Sequence, residues 1–199
     1  SGERLLEKES LTKMQTPVAT VWKKEKWGLA WAVDDSYETR LVSHGGGTKG
    51  QVSKLIFAPD RNFAVVVFTN SESGGRVTLE VTRQALKKYL KIDIFDPEPM
   101  DASKEQLAAY CGDYSRPYAD IHLGLLGDRL VGQLVDKMGF PAKDSPPEAA
   151  PPPFTLGLIE EDRLLVLDGA MKSTRVDVIR KVDGSIGWLR ISRLHKRIE

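Results

Sequence analysis

The chain has 199 residues, of which 41% are hydrophobic and 29% charged, and its net charge at pH 7 is +1. This length allows one large domain or two small ones. A near-neutral chain has no whole-surface attraction for nucleic acid or for an anionic membrane, and no apolar run approaches the length of a bilayer span. We therefore expect no nucleic-acid partner and no membrane span. The single cysteine, Cys111, excludes an internal disulfide and a multi-cysteine metal site.

The N-terminal half is predicted to combine short strands with two helices. The first helix covers residues 4–16 and is ended by Pro17. The second covers residues 77–90, and its apolar face carries Val77, Val81, Ala85 and Tyr89. The predicted strands between these helices cover residues 27–33, 39–43, 54–57 and 63–70.

A glycine-rich step lies in the middle of these strands. Residues 43–50 read Ser-His-Gly-Gly-Gly-Thr-Lys-Gly, and two strands joined by a Pro-Asp turn follow at once. Glycines have no Cβ, so they let backbone amides come close to a ligand. Because strands surround them, these glycines are predicted to lie in a sheet rather than in a free loop.

This step resembles the third active-site motif of serine β-lactamase-like hydrolases, which include class C β-lactamases, DD-peptidases and related esterases. His44, Gly45 and Gly46 stand at the family's Lys-Thr-Gly position. Residues 26–31 and 65–70 resemble two further strands of the family, and the likeness extends over residues 1–95. The resemblance implies an α+β fold in which these residues end an antiparallel-sheet catalytic domain.

The resemblance also implies roles for individual residues. His44 becomes a polar donor that faces the substrate, and the Gly47 backbone N–H becomes one of two donors to the oxyanion. Gly45, Gly46 and Thr48 become substrate-binding residues for a small molecule or a peptide. No metal or organic cofactor is implied. The alternative interpretation is a glycine-rich strand edge that happens to carry a surface histidine.

The nucleophile of such a hydrolase is not found in this sequence. The string Ser10-Leu11-Thr12-Lys13 matches Ser-x-x-Lys, but Pro17 follows too closely for a long buried helix, and we predict Ser10 to be a helix N-cap. Neither Tyr-x-Asn nor Tyr-x-Ser occurs. We therefore expect a C-terminal fragment that is inactive alone and that docks onto the missing N-terminal catalytic segment. An uncovered sheet face also favours homo-oligomers.

The second half of the sequence has a different character. A linker is predicted over residues 96–103, followed by a helix over residues 104–110 and an exposed proline-rich loop over residues 145–153. Short strands separated by turns predict a small antiparallel barrel over residues 104–199. This half resembles the lipocalin-like barrel appended to some hydrolases of the same family. The predicted strands cover residues 121–125, 129–135, 154–158, 164–167, 176–181 and 188–191.

Several functional alternatives remain open. His44, His122 and His195 lack the close spacing of a metal site. The basic C-terminal residues 190–197 are interpreted as a contact with a neighbouring domain or as a polyanion site. The barrel is interpreted either as a non-catalytic binding or assembly module, or as a carrier of a lipophilic ligand. A histidine in place of the family's lysine favours an esterase, amidase or D-amino-acid peptidase over a true β-lactamase. A periplasmic or secreted location is implied by the resemblance alone.

Overall fold

The computed structural model describes residues 5–23, 25–139, 142, 144–146 and 149–198. The chain divides into two units, Ser1–Phe95 and Asp96–Glu199. The first unit contains a six-stranded antiparallel sheet, and the second contains a closed antiparallel barrel of eight strands. The predicted α+β fold, an antiparallel-sheet unit followed by a small antiparallel barrel, is confirmed. We describe each unit separately.

The sheet of the first unit follows chain order, because each strand pairs with the next one through a short connection. One small core joins the sheet to the second helix and contains Leu41, Ile56, Ala58, Leu86 and Ile92. Its elements are α1 (Lys8–Gln15), β1 (Ala19–Trp22), β2 (Glu25–Trp27), β3 (Ala32–Asp34), β4 (Leu41–Thr48), β5 (Gln51–Ala58), β6 (Phe63–Thr69) and α2 (Gly74–Ala85), with a 3-10 turn at Pro59–Arg61 and a π-helical turn at Leu86–Leu90.

The first helix is shorter than predicted. Helix α1 begins at Lys8, so Leu5 and Leu6 precede it, and Arg4 lies outside the described residues. The predicted N-cap at Ser10 is wrong, because Glu7 occupies the cap position and Ser10 lies inside the helix. The helix buries none of its residues, as expected for a surface helix.

The predicted strand over residues 27–33 is also wrong, because this stretch is a β-hairpin. Strands β2 and β3 pair with each other, and the Gly28 N–H donates to the Trp31 carbonyl at 2.8 Å across the turn. Ala30 adopts a left-handed φ of +67° in that turn. A Cβ at Gly28 would lie 2.2 Å from the Met14 carbonyl oxygen, so only glycine lets the turn pack against this backbone.

Helix α2 packs through a different face from the one predicted. Val77, Val81 and Tyr89 are exposed, and the residues turned toward the sheet are Thr78 and Thr82, with Leu86 continuing the stripe. The Thr82 hydroxyl donates to the Thr78 carbonyl at 2.7 Å, which satisfies its polar atom. The two threonines can therefore be buried against the sheet. The apolar stripe formed by Val77, Val81 and Tyr89 stays exposed among the described residues.

The second unit is a barrel with strand order β10-β11-β12-β13-β14-β7-β8-β9. Its interior is filled by sixteen buried residues, among them Tyr114, Ile121, Leu130 and Leu164. The barrel is thus a packed core rather than an empty container. Its elements are α3 (Lys104–Ala108), β7 (Gly112–Arg116), β8 (Ala119–Leu126), β9 (Arg129–Asp136), β10 (Phe154–Glu160), β11 (Arg163–Val166), β12 (Arg175–Arg180), β13 (Ile186–Ile191) and β14 (Arg193–Ile198).

Two barrel strands are absent from the sequence prediction. Strand β7 follows helix α3, which ends at Ala108, two residues earlier than predicted. Strand β14 pairs with both β13 and β7 and so closes the barrel. The basic C-terminal residues therefore lie in strands, with Arg190 in β13 and Arg193, Lys196 and Arg197 in β14. The proline-rich loop over residues 145–153 is irregular and mostly exposed as predicted, with residues 147 and 148 outside the described part of the chain.

The predicted linker over residues 96–103 packs against the barrel. The Met100 N–H donates to the Leu158 carbonyl at 2.7 Å, and Asp96 accepts a hydrogen bond from Ser173. Ser103 then caps helix α3 through a reciprocal hydrogen bond with Gln106.

Candidate functional site

Strand β4 carries all five of the predicted site residues. Its pairing with β3 ends at Ser43, whereas its pairing with β5 continues to Thr48. Residues 44–48 therefore have a neighbouring strand on only one side within the described chain, and all five are exposed. The prediction that the glycines lie in a sheet is confirmed. We call this segment, His44 to Thr48, the glycine edge.

The glycine edge presents two different faces. His44 lies opposite Leu55 in the register and Gly45 lies opposite Lys54, so successive residues alternate between the faces of the sheet. Ile56 belongs to the same face as Lys54 and packs with helix α2 through Leu86. His44 therefore lies on the face of the sheet that α2 leaves uncovered.

Two tryptophans hold the ring of His44. The centroids of Trp27 and Trp31 lie 5.9 and 6.3 Å from the His44 ring, at interplanar angles of 81° and 90°. Trp31 in turn meets Phe57 edge-on at 5.1 Å. Edge-to-face contacts of this kind orient a ring and involve no hydrogen bond to its nitrogens. Spacing along the chain does not connect these tryptophans with His44, although both belong to residues 26–31, which resemble a strand of the family.

A half-buried lysine lies on the opposite face of the same strand pair. Lys54 lies opposite Gly45, and its Nζ is 3.5 Å from the Ser43 hydroxyl. Burial lowers the pKa of the Lys54 ammonium. Because Lys54 is on the α2 side of the sheet, it does not share a face with His44.

The described chain itself does not require glycine at two positions of the edge. A Cβ on Gly45 would meet its nearest atom at 3.5 Å and one on Gly47 at 3.8 Å, which are ordinary contacts. Neither residue has a positive φ. Glycine weakens a strand interior, so it is used where something approaches the backbone closely. A ligand or a further polypeptide segment lying along this edge would supply that reason.

An open cleft of about 530 Å³ adjoins the glycine edge. Of the predicted site residues, Gly46, Gly47 and Thr48 line this cleft, whereas His44 and Gly45 do not. Phe68 contributes a side chain that is 81% exposed. The remaining lining residues come from β5 and from the end of β6, and they are Gln51, Val52, Ser53, Thr69 and Asn70.

The first part of the chain resembles a known protein family. The family model for Beta-lactamase matches residues 1–90. The chain combines a β-lactamase-like segment with a β-barrel. No curated protein matches the chain.

Three solved structures resemble the chain. The structure of SurE with D-Leu is 18% identical in sequence to this chain, with a TM-score of 0.62. The match covers 97% of this chain and 44% of the SurE chain. A second structure of SurE is 19% identical, with a TM-score of 0.61, and covers 97% and 42%. The octameric penicillin-binding protein homologue from Pyrococcus abyssi is 18% identical, with a TM-score of 0.38, and covers 98% and 42%. The chain thus spans less than half the length of these proteins, and at such identities the SurE structures show the fold alone.

The other candidate residues do not belong to the glycine edge. Ser10 and Lys13 are exposed on α1, a helix without buried residues. His122 points outward from the barrel and contacts Asp113 at 2.7 Å. Burial raises the pKa of the Cys111 thiol, which makes it a packed residue rather than a ready nucleophile.

Two kinds of feature, a metal-binding cluster and a membrane-spanning helix, are absent from the described residues. No group of three or more His, Cys, Asp or Glu side chains is placed to hold a metal ion in the part of the chain that the structure describes. Among the same residues, no helix has the length and apolar character that crossing a membrane requires.

Proposed function

We propose that this chain is the C-terminal portion of a serine hydrolase that cleaves an amide or ester through an acyl-serine intermediate. The observation that carries the proposal is the exposed glycine edge beside a cleft, which among the described residues pairs with a strand on one side only and lies within a segment that matches the Beta-lactamase family model. The nucleophile and its base belong to polypeptide outside this sequence. The chain spans less than half the length of the similar SurE chains, which supports the proposal that the nucleophile lies outside this sequence.

In this proposal the backbone of Gly47 stabilises the oxyanion. Attack on a carbonyl places negative charge on its oxygen, and two converging N–H groups stabilise that charge by roughly 3 kcal/mol per donor. Gly47 lines the cleft and lacks a side chain, so a carbonyl group can approach its N–H closely. The second donor is the amide of the nucleophile itself, as the family resemblance implies. Gly46 and Thr48 line the cleft for the rest of the substrate.

His44 sets the substrate class in this proposal. A lysine at this position carries a fixed charge for a substrate carboxylate, whereas a neutral imidazole both donates and accepts hydrogen bonds. Trp27 and Trp31 hold the ring in one orientation on the uncovered face of the sheet. An ester, an amide or a peptide of D-amino acids is therefore a better substrate than a β-lactam. One of the similar structures contains D-Leu, which agrees with the last class.

The missing segment also covers apolar surface in this proposal. Val66 and Phe68 are 50% and 81% exposed on the same sheet face as His44. Strand β6 pairs only with β5 among the described residues, so its outer edge is open to a further strand. A polypeptide segment that adds a strand at β6 and lies across this face would bury these side chains.

The decisive experiment extends the chain upstream through its own reading frame. We call this product the extended protein and treat it with a fluorophosphonate probe, locating the label by mass spectrometry. We expect the label on a serine of an upstream Ser-x-x-Lys and none on the 199-residue chain. A label on Ser10, or a reading frame that begins at this chain without such a motif, would overturn the proposal.

A further inference from the structure

A second cleft lies on the barrel and is strongly cationic. It measures about 830 Å³, and five of its lining residues carry positive charge: Arg116, Lys137, Lys181, Lys196 and Arg197. None of the described lining residues is acidic. The whole chain has a net charge of only +1, so this concentration is a local feature and not a reflection of the composition.

One part of the cleft is formed by side chains on the outer wall of three neighbouring strands, β7, β13 and β14. Lys196 on β14 lies opposite Ser115 on β7 and opposite Trp188 on β13, so these three side chains share one face. The neighbours of Lys196 and Ser115 along their strands, His195 and Tyr114, are buried inside the barrel. The shared face is therefore the outer one, and Trp188 gives it an apolar wall.

Arg116 is held in place by a neutral partner. Its Nε donates to His195 Nε2 at 3.0 Å, and His195 Nδ1 lies 3.1 Å from the Arg193 carbonyl. An arginine only donates, so Nε2 must be the acceptor and Nδ1 the protonated nitrogen. Burial, followed by the charge of Arg116, lowers the pKa of His195. The histidine therefore positions the guanidinium without cancelling its charge.

Arg197 and Lys137 are also anchored. Arg197 donates to the Cys111 carbonyl at 2.7 Å and lies over the Tyr114 ring, and both partners are uncharged. Lys137 Nζ contacts the Ser115 hydroxyl at 2.9 Å and the Asp120 carboxylate at 3.0 Å. Asp120 thus offsets one positive charge of the five, and Asp183 interacts electrostatically with Lys181.

We propose that this cleft binds a small polyvalent oxyanion, such as pyrophosphate or the phosphate group of an organic ester. Cations gathered around one cleft repel each other, and an anion that binds between them interacts favourably with all of them. Arginine forks match the oxygens of phosphate, and lysines add point charges. The organic part of an ester has Trp188 to pack against. The site lies wholly within the second unit and does not depend on the hydrolase proposal.

The test measures binding of inorganic pyrophosphate to the full 199-residue chain. Isothermal titration calorimetry gives the affinity, and the NMR shift of the Trp188 indole N–H reports the location. The double variant Lys181→Gln, Lys196→Gln removes two charges from the cleft. The control Lys104→Gln, Arg129→Gln removes two charges from exposed positions elsewhere in the same unit. Circular dichroism confirms that both variants fold.

We expect the cleft variant to raise the Kd for pyrophosphate at least about tenfold and the control variant to raise it less than about twofold. The Trp188 signal should shift on titration in the unaltered chain. The proposal is overturned if about 1 mM pyrophosphate produces neither heat nor a Trp188 shift. It is equally overturned if both variants weaken binding alike, because net charge rather than the cleft would then attract the anion.

Discussion

The two units bury their apolar residues to very different extents. Among the residues that the structure describes, the barrel unit has a core cluster of sixteen buried residues, and its eight strands close on themselves and leave no strand edge. The sheet unit has a core cluster of five buried residues, and apolar side chains on β6 and on α2 stay exposed. Open edges and apolar faces mark surfaces at which a sheet can pair with a further segment or chain. The comparison indicates that the barrel closes around its apolar core, whereas the sheet unit leaves an edge and apolar side chains open among the described residues.

The largest expected effect concerns the packed core of the barrel. Leu164→Ala removes a side chain that is 0% exposed, so we expect a loss of about 2–5 kcal/mol in the unfolding free energy of the barrel. Val81→Ala on the exposed stripe of α2 is the matched comparison, and it should cost less than about 0.5 kcal/mol. Urea titration, with amide hydrogen exchange as the probe of unfolding in each unit, measures the change in unfolding free energy for both variants. Similar losses for the two variants would contradict the comparison.

A second variant tests the uncovered face of the sheet. We expect the 199-residue chain to self-associate through Phe68, and Phe68→Ser to weaken that association by about tenfold. Leu126→Ser in the barrel is a control of similar exposure, 73% against 81%, and should leave association unchanged. Analytical ultracentrifugation gives the association constants. An equal effect of the two variants would mean that any exposed apolar side chain promotes self-association, and it would contradict a specific role for Phe68.

A third variant separates the glycine requirement of the edge from that of the fold. Gly45→Ala fits the described chain, so it should stabilise the sheet unit by about 0.4–1 kcal/mol while lowering acylation in the extended protein. Gly50→Ala is the control, because Gly50 has a φ of +76° and alanine there is strained. We expect it to destabilise the unit, as thermal unfolding will show. Destabilisation by Gly45→Ala would mean that the fold itself demands this glycine.

The smallest expected effect concerns pH and the barrel. The pKa of His195 is lowered on folding, so the unfolded chain takes up a proton first as pH falls below the ordinary value of 6.5. The stability contributed by neutral His195 is fully present above that pH and is lost as pH falls toward the folded pKa. We expect His195→Gln to flatten the decline of barrel stability between neutral pH and the range where carboxylates titrate. An unchanged decline, measured by urea titration at several pH values, would contradict the assignment of the neutral form.

The sequence predicts most of the architecture, for physical reasons that are local. Turn residues with positive φ, such as Gly127 and Gly184, mark the hairpins of the barrel. Strand β14 was missed because its exposed and buried positions reverse the usual pattern, with Leu194 outside and His195 inside. The packing face of α2 was missed because periodicity identifies a helix but does not say which of two stripes meets the sheet.

The candidate site is only partly readable from sequence. Glycines in a strand are conspicuous, so the glycine edge is found directly. The contacts of His44 with Trp27 and Trp31 arise from pairing across three strands, which spacing along the chain does not reveal. The cationic cleft on the barrel likewise collects residues from distant parts of the sequence.

The most direct test of the central claim, that the Gly47 backbone serves an acyl-transfer pocket, compares two variants of the extended protein. Gly47→Pro removes the backbone N–H, whereas Gly47→Ala keeps it and fits the described chain with its nearest contact at 3.8 Å. Fluorophosphonate acylation rates and thermal unfolding are measured for both. We predict a loss of about 10²–10³-fold in rate for the proline variant and a much smaller loss for the alanine variant. Equal rates for the two variants, with both proteins folded, would contradict the claim.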